Sequence, residues 1–483
     1  MLLLCLLLAC GAGDDTAATP TSDDSGQPDG GADGGSADGG AADGGSADGG
    51  GSGGSLPDLP TSGCGLAPYT WRPLEEMGTL LAVEEATDLS YDVATINQIL
   101  ALVGLEALTP VPYGVRAWRV RYSSQDKGQD VEVSGYLALP DTDPGAPLPV
   151  MLWNHPTTGF HDACAPTALG ITGGAYSLLL AAHGFAVAAP DHLGLVGVGE
   201  PSGELHPWIV AEPGAVVGLD AVRALLRFLD DGEAHGVTAT ADPAHTVIFG
   251  ASEGGFTSLW ADRYQAEYLP EVQVTGVVAA IPATDPLALA TLGATTTSAT
   301  TRAITAALVT GAAWHQGTAP LSEVLQAPFD ATVPEALATE CEDWDGAFLS
   351  AEAPEQIFTE AFLAAASAGG DWSEALDPWS CYLGEGVLRD SAIPRGSTAP
   401  VLVVTGEDDD LAWPAPTHDD VLALCDQGYT IEHVQCAGAD HTGAAVAALP
   451  KMIAWALAAG RGEDPTEGAT TCEVSAPVTC EAL

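Results

Sequence analysis

Basic residues are scarce in this sequence. Its 483 residues include 13 lysines and arginines against 66 aspartates and glutamates, which gives a formal net charge of −53. Only two of the basic residues, Lys127 and Lys451, are lysines. A surface this acidic repels phosphate backbones, so nucleic-acid binding is not expected. A strongly acidic surface also keeps a protein soluble.

The sequence also lacks C-x-x-C pairs, which are the usual spacing of structural zinc ligands. We therefore expect no metal, and no motif implies an organic cofactor. Ten cysteines are present, of which Cys5 and Cys10 belong to the amino-terminal segment. The other eight are an even number, which would predict disulfides if the chain is exported. Eight cysteines allow 105 pairings, so the sequence leaves the pairing open. Nearness in sequence favours Cys472–Cys480 and Cys425–Cys436, and the pairs left by elimination are Cys341–Cys381 and Cys64–Cys164.

No apolar run at the amino terminus is long enough to span a bilayer, which takes about 20 residues. Residues 1–10 instead resemble an export signal. The end of that segment, Leu7-Leu8-Ala9-Cys10, resembles a bacterial lipobox, in which the cysteine carries the lipid. We expect an outer-membrane lipoprotein anchored at Cys10, or a cell-surface or extracellular protein. An ordinary signal peptide cut nearby is the alternative, since a basic segment before the apolar run is missing.

Residues 11–63 have the composition of a flexible tether. The unit Ser36-Ala37-Asp38-Gly39-Gly40 recurs twice, and no large apolar residue appears before Leu56. Such a segment cannot bury enough apolar surface to offset the entropy of ordering. We therefore expect it to be disordered and kept extended by its own negative charge.

After a predicted leading helix and a β-hairpin, apolar strands alternate with helical patterns, which predicts βαβ units and a mostly parallel sheet. The alternation stops between residues 285 and 395, where the chain is rich in alanine, threonine and leucine. We predict an open α/β core formed by residues 64–284 and 396–483, with a helical cap inserted between them. A helical packing layer with no binding role is the alternative for the insertion.

The pentapeptide Gly250-Ala251-Ser252-Glu253-Gly254 follows an apolar run and precedes a helical pattern. A G-x-S-x-G motif on a strand–turn–helix is typical of a nucleophile elbow, which exposes a serine hydroxyl above the sheet. Ser252 is therefore the predicted nucleophile for acyl transfer. Gly50-Gly51-Ser52-Gly53-Gly54 fits the same motif by chance, because no strand or helix surrounds it.

A serine nucleophile needs a base, and the base needs an orienting acid, in the chain order serine, acid, histidine. Two loops after late predicted strands supply both partners, and we assign Asp409 as the acid and His441 as the base. Asp408 and Asp410 remain alternatives for the acid. The rival bases are less well placed, because His433 falls within a predicted strand and His418 within a predicted helix.

The oxyanion of the tetrahedral intermediate needs two backbone donors. One is expected from the amide of Glu253, directly after the nucleophile. The other is expected from the loop after the strand at Val150–Trp153, with Thr157 as the first choice and Thr158 next. Pro156 has no N–H to donate.

Several short stretches resemble those of secretory-lipase-like α/β hydrolases, over roughly residues 110–450. They are His155-Pro156-Thr157-Thr158-Gly159, Cys164-Ala165-Pro166, Pro190-Asp191-His192-Leu193-Gly194-Leu195, His206-Pro207-Trp208, Leu219-Asp220-Ala221-Val222-Arg223-Ala224, Tyr268-Leu269-Pro270 and the elbow. The sequence departs from the family at Pro156, where glycine is usual. The resemblance implies hydrolysis of carboxylic esters, either lipids or small esters, with a cap that shapes the acyl pocket. The alternatives are a peptidase of the prolyl-oligopeptidase kind and a non-catalytic surface binding protein on a hydrolase fold.

Overall fold

A single mixed sheet organises the residues described by the computed structural model, which are 55–142, 145–295, 298–341, 346, 351–368 and 376–483. Within those ranges the sheet has nine strands in the order β1-β2-β3-β5-β4-β6-β7-β8-β9. The strands are β1 (Leu80–Glu85), β2 (Val115–Asp126), β3 (Gln129–Pro140), β4 (Leu148–Asn154), β5 (Ala186–Pro190), β6 (Ala241–Ala251), β7 (Val274–Ala280), β8 (Val401–Gly406) and β9 (Ile431–Cys436). Pairing is antiparallel from β1 to β5 and parallel from β5 through β4 to β9.

The predicted hairpin is confirmed. Strands β2 and β3 pair over their full length, and the two residues between them are Lys127 and Gly128. Both have positive φ, at 49° and 69°. A two-residue loop with two positive φ values matches the right-handed twist of the flanking strands, which is why glycine is favoured in it.

Helices cover both faces of the sheet. They are α1 (Val93–Leu102), α2 (Ile171–Ala182), α3 (Ala211–Asp230), α4 (Glu253–Tyr268), α5 (Pro286–Gly293), α6 (Ala299–Trp314), α7 (Phe329–Thr339), α8 (Pro354–Ile357), α9 (Glu360–Ala368), α10 (Trp379–Gly384), α11 (Pro414–Asp426), α12 (His441–Ala447) and α13 (Leu449–Gly460). Val150 and Leu152 of β4 enter the core beneath α3 and α4, whereas Met151 and Trp153 enter the core on the opposite face. The central strands are therefore apolar on both sides, as buried parallel strands must be.

The described part of the inserted segment, from β7 to β8, consists mainly of helices α5–α10. Two disulfides tie this segment to the rest of the chain, Cys64–Cys381 and Cys164–Cys341. The pairings predicted by elimination, Cys341–Cys381 and Cys64–Cys164, are therefore wrong. Each cysteine of the insertion pairs with one of the core, because the fold brings distant segments within the Cα separation that a disulfide requires.

The other two predicted bridges are also wrong. Cys425 pairs with Cys472, and Cys436 pairs with Cys480. Cys425 lies at the end of α11 near the start of β9, while Cys436 ends β9, so the strand separates them by about 17 Å at roughly 3.3 Å per residue. The carboxy-terminal tail runs along β9 and is bridged to the core at both ends of that strand, which covers the edge of the sheet.

The expected tether boundary at residue 63 also needs correction. Leu59 is buried, and its carbonyl oxygen accepts a hydrogen bond from Trp71 Nε1 at 2.9 Å. Within residues 55–63, Pro57 and Leu59 are thus buried, because this stretch carries apolar side chains that the glycine-rich repeats lack. Cys10, Ser52 and the repeats lie outside the described residues.

No single helix in the described ranges is long and apolar enough to cross a membrane. The bent pair α12 and α13 meets the length and composition criteria only when its two helices are taken together.

Candidate active site

Ser252 stands at the sharp turn between β6 and α4. Its φ of 57° and ψ of −120° are values that few non-glycine residues adopt. Its amide donates to the carbonyl oxygen of Ala280 at 2.8 Å, which fixes the turn against β7. A Cβ atom on Gly250 would lie 2.1 Å from the carbonyl oxygen of Gly254, and one on Gly254 would lie 2.0 Å from that of Asn154. The two glycines are therefore required because backbones approach closely there.

His441 and Asp409 lie beside this turn. His441 Nε2 is 2.8 Å from Ser252 Oγ, and His441 Nδ1 is 2.8 Å from Asp409 Oδ2. The other oxygen of Asp409 accepts the amides of Leu411 and Ala412, both at 2.9 Å. The Asp409 carboxylate is thus held in one orientation and accepts the Nδ1–H of His441. This leaves Nε2 as the acceptor for the Ser252 hydroxyl.

The structure brings together the three residues assigned from the sequence and leaves their rivals apart. Asp408 and Asp410 are exposed, whereas Asp409 is 3% exposed. His433 lies in β9, where it contacts Thr405 Oγ1 at 3.0 Å and accepts the amide of Ser475 at 3.0 Å. Burial lowers the pKa of His433 to about 4. His418 lies in α11 and packs edge-on against His433 at 4.9 Å.

The two expected oxyanion donors lie on neighbouring segments. The amide of Glu253 begins α4, where the helix dipole favours negative charge. The loop that carries Thr157 leaves β4 where Asn154 packs against the elbow. Trp208 Nε1 donates to Thr157 Oγ1 at 2.7 Å and so holds that loop. Neither expected amide donates to another residue in the part of the chain that the structure describes.

A sequence model described as secretory lipase matches residues 175–468, more than half of the chain. The chain belongs to the secretory lipase family. The resemblance carried by the short motifs is therefore confirmed.

Solved structures confirm the α/β-hydrolase fold predicted from the sequence. The rice cell wall degrading esterase LipA from Xanthomonas oryzae superposes with a TM-score of 0.64 at 18% identity, over 78% of this chain and 96% of that chain. Candida antarctica lipase A superposes with a TM-score of 0.60 at 14% identity, over 83% and 86%. At such identities the superposition shows the fold alone.

One curated relative is named "Probable inactive lipase" and comes from Mycobacterium tuberculosis (strain CDC 1551 / Oshkosh). It is 28% identical over 201 residues. The match covers 38% of this chain and 40% of that protein, so the chain spans less than half of the relative's length.

A buried ion pair behind the nucleophile was missed by sequence reasoning. The side chains of His206 and Glu253 are in direct contact, and each is 3% exposed. His206 Nδ1 donates to the carbonyl oxygen of Leu193 at 2.8 Å, which leaves Nε2 facing the carboxylate. Both residues stood in motifs noted above, but they are 47 positions apart. Nothing in the sequence indicates that their side chains meet.

The pair is charged. Burial alone would lower the pKa of His206, but attraction to Glu253 raises it overall. Burial would likewise raise the pKa of Glu253, but His206 lowers it overall. The ion pair stabilises the folded protein fully between pH 4.5 and pH 6.5, the ordinary pKa values of Glu and His. It is lost at lower pH as Glu253 protonates and at higher pH as His206 loses its proton.

We expect Glu253→Gln to lower the free energy of unfolding by about 3 kcal/mol near pH 6, because it removes one partner of a buried pair. Denaturant unfolding between pH 4 and 9 measures this, and the variant should show a flatter pH profile. Glu267→Gln, an exposed position on the same helix, is the matched control and should change stability by less than about 0.5 kcal/mol. Equal stabilities for the wild type and Glu253→Gln would show that the pair is not charged.

Proposed function

We propose that this chain is an exported serine hydrolase of carboxylic esters that acts through Ser252, His441 and Asp409. The observation that carries the proposal is the continuous contact from Ser252 Oγ through the His441 ring to the Asp409 carboxylate, two contacts of 2.8 Å. Membership of the secretory lipase family supports the reaction class.

In the first half-reaction, Ser252 Oγ attacks the ester carbonyl carbon while its proton passes to His441 Nε2. The carbonyl oxygen gains the electron pair and becomes an oxyanion. The amides of Glu253 and Thr157 would stabilise it, since neither is engaged elsewhere in the described residues. Collapse of this intermediate breaks the bond to the alcohol oxygen, which takes the proton from His441. The acyl group remains on Ser252 as an ester.

Water completes the cycle. His441 Nε2 takes a proton from a water molecule, whose oxygen attacks the acyl carbon and regenerates the oxyanion. Collapse releases the carboxylic acid, and the proton returns through His441 to Ser252 Oγ. Asp409 stays ionised and holds the imidazolium in place through Nδ1. No metal or organic cofactor has a part in these steps.

The inserted segment, residues 285–395, would act as a cap over the acyl pocket. It meets the catalytic loop directly, because Thr300 Oγ1 at the start of α6 donates to the carbonyl oxygen of Leu411 at 2.9 Å. Leu411 lies two residues after Asp409. Helices at this position border the carboxyl ends of the strands, where ligands bind in open α/β sheets.

Export through the amino-terminal signal, with a lipid anchor on Cys10, is part of the proposal. The four disulfides between described residues fit an oxidising compartment. Mass spectrometry of the mature amino-terminal peptide tests the anchor, because a diacylglycerol adduct on Cys10 supports it and an unmodified terminus after another residue refutes it.

A non-catalytic binding protein is the second candidate, since one relative carries the word inactive in its name. Reaction with a fluorophosphonate probe separates the two. The phosphorus of the probe takes the place of the ester carbonyl, so an activated serine forms a stable adduct. We expect stoichiometric labelling, located at Ser252 by peptide mass mapping.

Hydrolysis of p-nitrophenyl esters of increasing acyl length then gives the substrate class, short-chain esters or long-chain lipids. Labelling without turnover of any ester would favour the prolyl-oligopeptidase-like alternative. Hydrolysis of proline-containing anilides tests that alternative. Absence of both labelling and turnover in the folded protein would refute the hydrolase proposal in favour of the binding protein.

A further inference from the structure

A cavity of about 390 Å³ lies between the amino-terminal segment, helices α3 and α4, and the end of α10. Its lining includes Ser62, Glu212, Trp260, Tyr264, Tyr382 and Glu385, and we call it the aromatic–acidic pocket. The disulfide Cys64–Cys381 fixes the amino-terminal wall of the pocket to α10. The pocket is therefore formed before any ligand arrives, which lowers the entropic cost of binding. Its volume is in the range of small-molecule sites.

The pocket is distinct from the proposed catalytic site. Trp260 and Tyr264 stand eight and twelve residues beyond Ser252 along α4. At 1.5 Å per residue, these positions are about 12 and 18 Å from the nucleophile. Neither Ser252 nor His441 lines the cavity.

Two carboxyl groups in the pocket lack a cationic partner. Glu212 is 6% exposed, and Tyr69 Oη lies 2.6 and 2.5 Å from its two oxygens. Glu385 accepts the hydroxyl of Ser62 at 2.6 Å and the amide of Gly63 at 2.8 Å. Among the described residues, no lysine or arginine forms an ion pair with either group. Both are therefore satisfied by hydrogen bonds but have no counter-ion.

Neighbouring basic groups do not supply the missing counter-ion. His315 is the nearest, 3.8 Å from Glu385, and burial lowers its pKa to about 3, so the ring is neutral. Lys127 is paired with Asp126 at 2.9 Å. Burial raises the pKa of Glu212 to about 8, as expected for a carboxyl group that lacks a counter-ion. A cation bound beside Glu212 would lower that pKa and displace the proton.

Aromatic rings complete the lining. Trp260, Tyr264, Trp314 and Tyr382 all border the cavity. The Trp314 ring already accepts one cation, since Lys127 Nζ lies 4.7 Å from its centroid. Trp260 Nε1 is buried and has no hydrogen-bond partner among the described residues. Tryptophan and tyrosine faces together with carboxylates are the surroundings that bind quaternary ammonium groups.

We propose that the aromatic–acidic pocket binds a small organic cation, an alkylated ammonium. The ammonium group lies against the aromatic rings with Glu212 and Glu385 as its counter-charges. This site is independent of the ester-hydrolase proposal, and its occupancy does not require Ser252.

Calorimetric titration of the full mature chain with choline tests the proposal. The control ligand is 3,3-dimethylbutan-1-ol, which has the same shape and hydroxyl group but no charge. We expect choline to bind at least about tenfold more tightly, since cation–π and charge contacts together exceed about 1.4 kcal/mol. Equal affinities, or no heat with choline at concentrations of about 10 mM, would overturn the proposal.

Two variants locate the site. Glu212→Gln retains the volume and the contact with Tyr69 but loses the charge, and should weaken choline at least about tenfold. Glu335→Gln, an exposed position on α7, removes the same charge elsewhere and should leave choline binding unchanged.

Ser252→Ala should bind choline like the wild type. If a phosphonate adduct on Ser252 blocked choline, or if Glu335→Gln weakened it as much as Glu212→Gln does, the aromatic–acidic pocket would not be the site. Unchanged melting temperatures of the variants establish that any loss of binding is local.

Discussion

Ser252→Ala is expected to lower kcat for p-nitrophenyl esters by at least about 10⁴-fold and to abolish phosphonate labelling. The substitution removes the attacking oxygen and leaves the oxyanion donors and the His441–Asp409 contact in place. It should not unfold the protein. The strained φ of 57° at this position is borne equally by serine and alanine, since both carry a Cβ atom. The measurement is steady-state hydrolysis together with thermal unfolding of both proteins.

Ser52→Ala is the matched control, because Ser52 occupies the same G-x-S-x-G pattern in the tether. It should hydrolyse esters and label like the wild type. Residual turnover in Ser252→Ala near the wild-type rate, in a preparation free of contaminating esterase, would show that another group attacks the ester. The assignment of Ser252 would then be wrong.

The elbow could be predicted because its requirements are local. Consecutive residues form its strand, tight turn and helix. Gly250 and Gly254 are needed because any side chain there would collide with neighbouring carbonyl oxygens. The central strands were predictable for a similar reason. Strands covered on both faces, such as β4, need nearly continuous apolar sequence, and that pattern is visible in one short window.

The disulfides were not predictable, because closeness in sequence is a poor guide once a strand lies between two cysteines. Cys425 lies in α11, before β9 begins, whereas Cys436 is the last residue of β9, so the two cysteines do not meet. Their partners, Cys472 and Cys480, come from a tail that runs along the same strand. The ion pair of His206 and Glu253 was missed for the same reason, since it depends on how a loop folds back onto α4.

The sequence limited the candidates for the triad acid to Asp409, the first choice, and its neighbours Asp408 and Asp410, but it could not decide among the three. Consecutive residues in a turn have nearly equal propensities, and only the direction of each side chain separates them. In the structure Asp409 turns inward to His441, whereas Asp408 and Asp410 face solvent. Two amides that follow in the chain, those of Leu411 and Ala412, hold that direction.

Asp409→Asn should lower kcat by about 10⁴-fold at neutral pH with little change in KM, since Asp409 is placed to orient His441 rather than to touch substrate. The carbonyl oxygen of the introduced amide side chain would still accept the amides of Leu411 and Ala412. The new NH₂ group must therefore face His441 Nδ1, which forces Nδ1 to act as the acceptor. The remaining ring proton then sits on Nε2, where it faces Ser252 Oγ and prevents His441 from accepting the serine proton.

Asp408→Asn and Asp410→Asn are the controls for this prediction, because each removes one negative charge from the same turn without touching the histidine. Both should retain kcat near that of the wild type. A loss in either control that matched the loss in Asp409→Asn would mean that the charge of the turn matters, and not the tautomer of His441. A loss of kcat in Asp410→Asn alone would identify Asp410 as the triad acid. The loop would then have to adopt another conformation during turnover. The wild-type rate in all three variants would mean that His441 needs no carboxylate partner, and the 2.8 Å contact would then be structural rather than catalytic.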